Sequence, residues 1–190
     1  MTAIATMPET RGKLTEGAPL APLVWFKSGG PAQWLFEPKD IEDLQQFLRD
    51  LDPEIAVWPL GLGSNLIIRD GGIRGVVVRL GKAFAAIKAD GLTLTCGAGA
   101  PGISAASTAR DNGIAGMEFL RGIPGTIGGA VRMNAGAYGR EVCDILESAE
   151  VILRNGDLVT IPLAEMGYTY RHSELPDGAI VVSARFRGES

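Results

Sequence analysis

Two glycine-dense stretches constrain this chain more than any other feature: Gly61-Leu62-Gly63-Ser64-Asn65, and a longer run carrying Gly122, Gly125, Gly128, Gly129, Gly136 and Gly139. Glycine weakens helices and strands, so such clusters mark backbone that turns sharply or lets another group come very close. That group is most often a phosphate or pyrophosphate, because successive backbone N–H groups converge on an anion where no side chain intervenes. The two stretches therefore read as two halves of one phosphate-gripping site. Taken alone, the first pentapeptide reads equally well as a plain β-turn. The second run is denser than a turn requires, and long loops in compact domains usually carry function.

Two familiar phosphate motifs are excluded. A dinucleotide fingerprint needs a third glycine opening a helix, but Gly61-Leu62-Gly63 continues into Ser64-Asn65-Leu66 and strand-like composition. A Walker loop ends in Gly-Lys-Ser/Thr, a tripeptide this chain lacks. What remains is a tight turn in which the Ser64 hydroxyl and Asn65 amide add to backbone donors around a phosphate.

The 190 residues suffice for one domain or two small lobes, with 46% apolar and 21% charged residues as in ordinary globular proteins. A net charge of -4 with scattered Lys and Arg gives no footprint for nucleic acid and no basic membrane patch. No apolar run is long enough for a membrane span, and Met1 to Gly17 does not resemble a signal peptide, so a cytoplasmic protein is expected. Cys96 and Cys143 stand far apart, which predicts two buried, reduced thiols and no metal site.

Along the chain, residues 1–18 read as a flexible N-terminus. A first lobe over 19–81 follows, with strands at Val24-Trp25-Phe26, Trp34-Leu35-Phe36, Ala56 to Leu60, Leu66-Ile67-Ile68 and Val76-Val77-Val78. Asp40 reads as the N-cap of a helix carrying Ile41, Leu44, Phe47 and Leu48 at helical spacing, closed by Pro53. A second lobe over 82–190 opens with strands at Ala85 to Lys88 and Leu92 to Cys96 around Asp90-Gly91. A helix over Ser104 to Asn112 stops at Gly113, a hairpin turns at Asn155-Gly156 between Ala149–Leu153 and Leu158–Ile161, and Ile180 to Phe186 is the last strand. Strands and helices do not alternate strictly, so the fold class is α+β with mostly antiparallel pairing in the second lobe.

Three segments in this order and spacing closely resemble the UDP-N-acetylenolpyruvoylglucosamine reductase family: Gly-Leu-Gly-Ser-Asn-Leu at 61–66, the run from Glu118 to Gly139, and Tyr170-Arg171-His172-Ser173. The likeness covers nearly everything after Pro19. It implies a two-lobed FAD-binding fold of the vanillyl-alcohol-oxidase type, in which the lobes clasp an extended, non-covalently held FAD. It further implies NADPH as reductant and a UDP-sugar enolpyruvyl ether as substrate, reduced to UDP-N-acetylmuramate during peptidoglycan precursor synthesis. Carried over by position, Gly61, Gly63, Ser64, Asn65 and Leu66 hold the pyrophosphate. So does the Gly122, Ile123, Pro124, Gly125, Thr126, Gly128 and Gly129 stretch, while Asn134, Ala135 and Gly136 lie along the cofactor toward the flavin.

The same resemblance makes Arg171 the catalytic residue. Hydride addition to an alkene conjugated with a carboxylate pushes charge toward that carboxylate, and a permanently charged guanidinium clamps it bidentately. Tyr170 is expected beside Arg171 or against substrate, and His172, the only histidine, receives no acid–base role. Family members continue into a substrate-binding domain that supplies a serine proton donor and an assisting glutamate. Neither has a counterpart here, so this chain alone is expected to bind FAD without completing turnover. Leu62, where many relatives carry glycine, departs from the family pattern. An oxidase of the same superfamily and a non-catalytic flavin-binding module are the other readings.

Overall fold

The structure, a computed structural model, describes residues 7–190. In chain order its elements are β1 (Lys13–Pro19), β2 (Pro31–Glu37), α1 (Ile41–Asp50), β3 (Val57–Leu60), β4 (Ile73–Arg79), β5 (Ile87–Asp90), β6 (Thr93–Gly97), α2 (Gly102–Asp111), α3 (Ile127–Arg132), β7 (Gly136–Ala137), β8 (Arg140–Glu141), β9 (Leu146–Ile152), β10 (Leu158–Pro162) and β11 (Ile180–Arg187). They build a four-stranded sheet ordered β1-β2-β4-β3, a five-stranded sheet ordered β10-β9-β11-β6-β5, and the small β7–β8 ribbon. The first sheet is mixed, with β4 parallel to β2 and β3 and β1 antiparallel to β2. The second is antiparallel throughout.

Helix α1 forms where the capping chemistry and apolar spacing agree. Asp40 sits in extended backbone and accepts the Asp43 N–H at 2.9 Å, while Leu44, Phe47 and Leu48 turn inward at helical spacing. They pack with Phe36, Val57, Val76 and Val78 of the first sheet and with Ile152, Ile180 and Val182 of the second, so one apolar core joins both sheets. Each such buried side chain contributes about 1.5–3 kcal/mol. The β9–β10 hairpin completes the joint: the Arg154 guanidinium donates to the carbonyls of Leu48, Asp52 and Ile55 at 3.1, 2.7 and 3.2 Å, closing the C-terminal end of α1. Gly156, with φ of 84°, lies so close to α1 that a Cβ would stand 2.5 Å from the Gln45 carbonyl.

Four sequence expectations are corrected. The segment expected to be flexible contains β1, paired with β2 from Lys13↔Glu37 to Pro19↔Pro31, whereas residues 1–6 lie outside the described residues. Its anchor is Asp43, 4% exposed, whose carboxylate accepts the N–H groups of Arg11, Gly12 and Lys39 at 2.7, 2.8 and 2.9 Å. Replacing Asp43 with alanine orphans three donors, so urea denaturation should show a loss of about 3 kcal/mol, part of it recovered by asparagine.

Val24-Trp25-Phe26 is not a strand. A 3₁₀ turn over Ala21–Leu23 carries Pro22 as its second residue, and a bond from Lys27 N–H to the Val24 carbonyl at 3.2 Å curls the chain, leaving Trp25 60% and Phe26 62% exposed. Leu66-Ile67-Ile68 is loop as well. It is pinned by close contact between Gly29 and Ile68 and by Gly30 N–H bonding Arg69 at 2.9 Å, with no ladder partner, and Ile67 stays 77% exposed. Cys96 is buried as expected, its thiol pushed up to about 12 by burial, but Cys143 is only half-buried.

Candidate functional site

The two glycine loops meet. The first leaves the end of β3, the second leads into α3, and the Ser64 hydroxyl donates to the Pro124 carbonyl at 3.0 Å across the gap. Closeness demands glycine: a Cβ at Gly61 would stand 2.6 Å from Thr126 Oγ1. Gly63 and Gly125 hold φ of 62° and 126°, backbone that other residues rarely adopt. Between the loops runs a cleft of about 460 Å³, lined by Gly61, Gly63, Ser64, Asn65 and Leu66 on one side. Gly122, Ile123, Pro124, Gly125, Thr126, Gly128 and Gly129 line the other, with Ala135 and Gly136 further along and Ala179, Ile180 and Val181 contributing apolar surface.

Backbone donors in this cleft divide into two kinds. The N–H groups of Ile127 and Gly128 bond the carbonyls of Ala100 and Ala98 at 2.8 and 2.9 Å and thereby tie α3 to the β6–α2 connection. Those of Gly63, Ser64, Gly125, Thr126 and Gly129 have no acceptor among the described residues. Main-chain donors left open beside glycines form a concave site for an anion.

Arg171 reaches the same cleft from a third direction. Thr169 and His172 exchange backbone hydrogen bonds of 3.2 Å, which makes Tyr170 and Arg171 the tip of a tight turn, with Arg171 in the left-handed region at φ 55°. On one flank the Tyr168 hydroxyl donates to the Val131 carbonyl at 2.8 Å, and on the other the Ser173 hydroxyl donates to that of Arg132 at 2.7 Å. Both moor the turn to the end of α3. Burial pushes the Tyr168 phenol above its usual range and keeps it a donor. The Arg171 guanidinium donates to the carbonyls of Asn134 and Gly136 at 3.1 and 3.0 Å and lies over the Tyr170 ring at 5.1 Å. Tyr170 itself is 80% exposed, and His172 is exposed too, outside the cleft lining.

Asn134 differs from the expectation. It is buried and absent from the cleft lining; its amide donates to Glu141 Oε2 at 3.0 Å and to the Thr169 carbonyl at 3.3 Å, and its oxygen accepts the Cys143 N–H at 3.0 Å. An asparagine at φ 41° with both ends bonded locks the loop shape rather than facing a ligand. Beside it the Cys143 thiol is raised above its usual value by burial, helped by the charges of Asp144 and Glu141 and opposed by the Asn134 hydrogen bond.

Sequence reasoning missed Tyr168, Glu141 and Arg132. Only spacing from the Arg171 turn could have pointed to Tyr168; nothing local marks the others. Arg132 donates to the carbonyls of Leu175 and Pro176 at 3.1 and 3.3 Å and lines the cleft, where Arg132 and Arg171 are the only ionisable side chains among the described residues. The cleft is therefore positive and holds no side chain that readily gives up a proton.

A positive, glycine-walled cleft with open amides suits a diphosphate, and residues 32–162 match the family described as FAD binding domain. The chain belongs to the FAD binding domain family. FAD, the family's cofactor, fits what is present: open amides for its diphosphate, and apolar surface from Ala179 to Val181 for a flat ring.

Curated relatives narrow the comparison. The chain is 70% identical over 189 residues to the UDP-N-acetylenolpyruvoylglucosamine reductase of Sphingopyxis alaskensis, covering 99% of itself and 63% of the relative. It is 66% identical over 187 residues to the enzyme of that name from Rhizorhabdus wittichii, covering 98% of itself and 61% of the relative. It thus spans less than two thirds of the length of these relatives. The crystal structure of the reductase of Thermus caldophilus superposes with a TM-score of 0.80 at 33% identity, covering 96% of this chain and 64% of that one. The 6-hydroxy-D-nicotine oxidase of Arthrobacter nicotinovorans superposes at 0.68 with 16% identity, over 94% of this chain and 42% of that one, a likeness of fold alone. The observed architecture is thus the α+β FAD-binding fold that the sequence resemblance implied.

Proposed function

We propose that this chain is the FAD-holding part of an NADPH-dependent reductase that converts the enolpyruvyl ether of UDP-N-acetylglucosamine to UDP-N-acetylmuramate. The observation that carries the reading is that Arg171 opens onto the same cleft as both glycine loops, in a chain 70% identical to a reductase of that name. The reaction belongs to peptidoglycan precursor synthesis in the cytoplasm, and through it to cell wall biogenesis, cell shape and cell division.

When bound, FAD would supply the hydride chemistry that links NADPH to the substrate alkene. The amides of Gly63, Ser64, Gly125, Thr126 and Gly129 hold its diphosphate, and the only histidine, His172, lies outside the cleft lining, in keeping with non-covalent attachment. Arg171 binds the substrate carboxylate and stabilises the negative charge that develops there as the alkene is reduced. Tyr170, stacked on that guanidinium, borders the substrate. The proton that completes the reduction comes from outside these residues, since an arginine is never a useful acid at neutral pH.

Gel filtration of the 190-residue chain with FAD, followed by an absorbance spectrum, tests the first half. Flavin bands should co-elute with protein and be released by denaturant. In a protein carrying this sequence through the relatives' full length, NADPH oxidation should depend on the enolpyruvyl substrate. Absence of flavin from the folded chain, or substrate-driven turnover by the 190 residues alone, defeats the reading.

A further inference from the structure

Four described residues other than glycine adopt left-handed backbone, and two of them, Asn134 and Arg171, are joined by a hydrogen bond beside the cleft. Backbone of this kind persists where neighbouring groups fix it, and it concentrates at sites that must hold a shape. Beside this pair stands Glu141, on β8, a residue for which neither the sequence motifs nor the proposed reaction provides a role. Its two carboxylate oxygens are divided: Oε2 accepts the Asn134 amide at 3.0 Å, and Oε1 faces Arg171 Nη1 at 3.7 Å. Asn134 also accepts Arg171 Nη1 on its backbone carbonyl at 3.1 Å, which closes a ring of Arg171, Asn134 and Glu141.

From this ring we propose that Glu141 is the positioning residue for Arg171, with Asn134 as its brace. The inference rests on the reading above that Arg171 receives a carboxylate. A guanidinium has five N–H donors in one rigid plane, and the carbonyls of Asn134 and Gly136 take one each from Nη1 and Nη2. Two neutral acceptors on a long, mobile side chain leave the plane free to swing. The Glu141 charge at the Nη1 edge removes that freedom and directs the remaining donors to the cleft. Asn134 is what makes the charge a fixed one: it is buried, it grips Glu141 through its side chain, and the Cys143 N–H holds its other end. The guanidinium and the carboxylate are 38% and 34% exposed, so water screens their attraction in part, and the hydrogen bonds through Asn134 are what hold the carboxylate in place.

Two measurements test the proposal. In the FAD-loaded 190-residue chain, ¹⁵N–¹H spectra of arginine side chains, assigned with Arg171→Lys, should show separate Arg171 Nη signals because rotation of the group is hindered. Glu141→Ala should merge or broaden them while backbone amides distant from the loop keep their positions. Glu141→Gln, which keeps the volume and one acceptor oxygen, covers the case in which the alanine variant does not fold and should give the same change in weaker form. Unaltered Arg171 signals in a folded Glu141 variant overturn the proposal.

The second measurement uses the full-length reductase. Added guanidinium should restore at least about tenfold of the turnover lost in Arg171→Ala, and Arg171→Ala combined with Glu141→Ala should show no such rescue. Rescue that persists in the double variant counts against Glu141. An Arg171→Ala variant with undiminished turnover removes Arg171 from the reaction instead, and the spectra still decide whether Glu141 orients it.

Discussion

Replacing Gly129 with leucine lowers FAD affinity at least about 100-fold, or about 2.7 kcal/mol, while leaving thermal stability level or slightly raised. Gly129 is exposed on the cleft side of α3, and around the position of a Cβ only Thr126 Oγ1, at 3.8 Å, lies within 4 Å. Its φ is not left-handed, so a side chain fits the backbone, and leaving glycine in a helix favours the fold by up to about 0.8 kcal/mol. The space that the leucine occupies is the approach to the open amides. Its neighbour supplies the contrast: a Cβ at Gly128 would stand 2.9 Å from Ala98 Cβ and 3.3 Å from the Ala98 carbonyl. Gly128→Leu therefore destabilises the protein and loses FAD through unfolding. Fluorescence titration with FAD and a melting curve for each variant separate the two effects. Retention of FAD within threefold by Gly129→Leu disposes of the amide cradle.

That contrast shows what glycine spacing can and cannot say. The sequence marks both loops as close-approach backbone, and the structure does bring them to one cleft. It does not distinguish glycines facing a ligand from those facing the chain's own backbone, because that depends on which strand connection lies behind α3. The short helix itself was hidden by the very glycines that open it, since Gly128 and Gly129 argue against helix on propensity. Strands with a buried face and two hydrogen-bonded neighbours, such as Val76-Val77-Val78, were legible from their apolar run. Leu66-Ile67-Ile68 carries the same composition but meets loop backbone rather than a ladder, and composition alone cannot report a missing partner. Asn134 teaches the same lesson at the site. Its place in the motif suggested contact with the cofactor, whereas its role comes from Glu141, Cys143 and Thr169, contacts that form only once the β7–β8 ribbon folds.

In a full-length enzyme, Arg171→Ala lowers kcat by about 100- to 1,000-fold, the usual cost of removing one donor from developing charge, and leaves the flavin spectrum and FAD affinity unchanged. The guanidinium stands at the cleft and donates to the Asn134 and Gly136 carbonyls, which lie beyond α3 from the open amides at 63–64 and 125–129, so those loops keep their shape for the diphosphate. Alanine carries a second effect: at φ of 55°, where any residue with a Cβ is strained by about 1–2 kcal/mol, it lacks the carbonyl bonds with which arginine holds the turn. Asparagine tolerates that backbone better, so Arg171→Asn separates the two causes: equal losses in both variants assign the effect to the missing guanidinium. Arg171→Lys keeps the charge but not the planar fork, and recovery should be partial, with KM raised as carboxylate binding becomes monodentate. Steady-state kinetics with varied enolpyruvyl substrate at saturating NADPH reads all three. Turnover within threefold of the unaltered enzyme in Arg171→Ala and Arg171→Asn leaves charge stabilisation to some other group and makes the 169–172 turn a purely structural one.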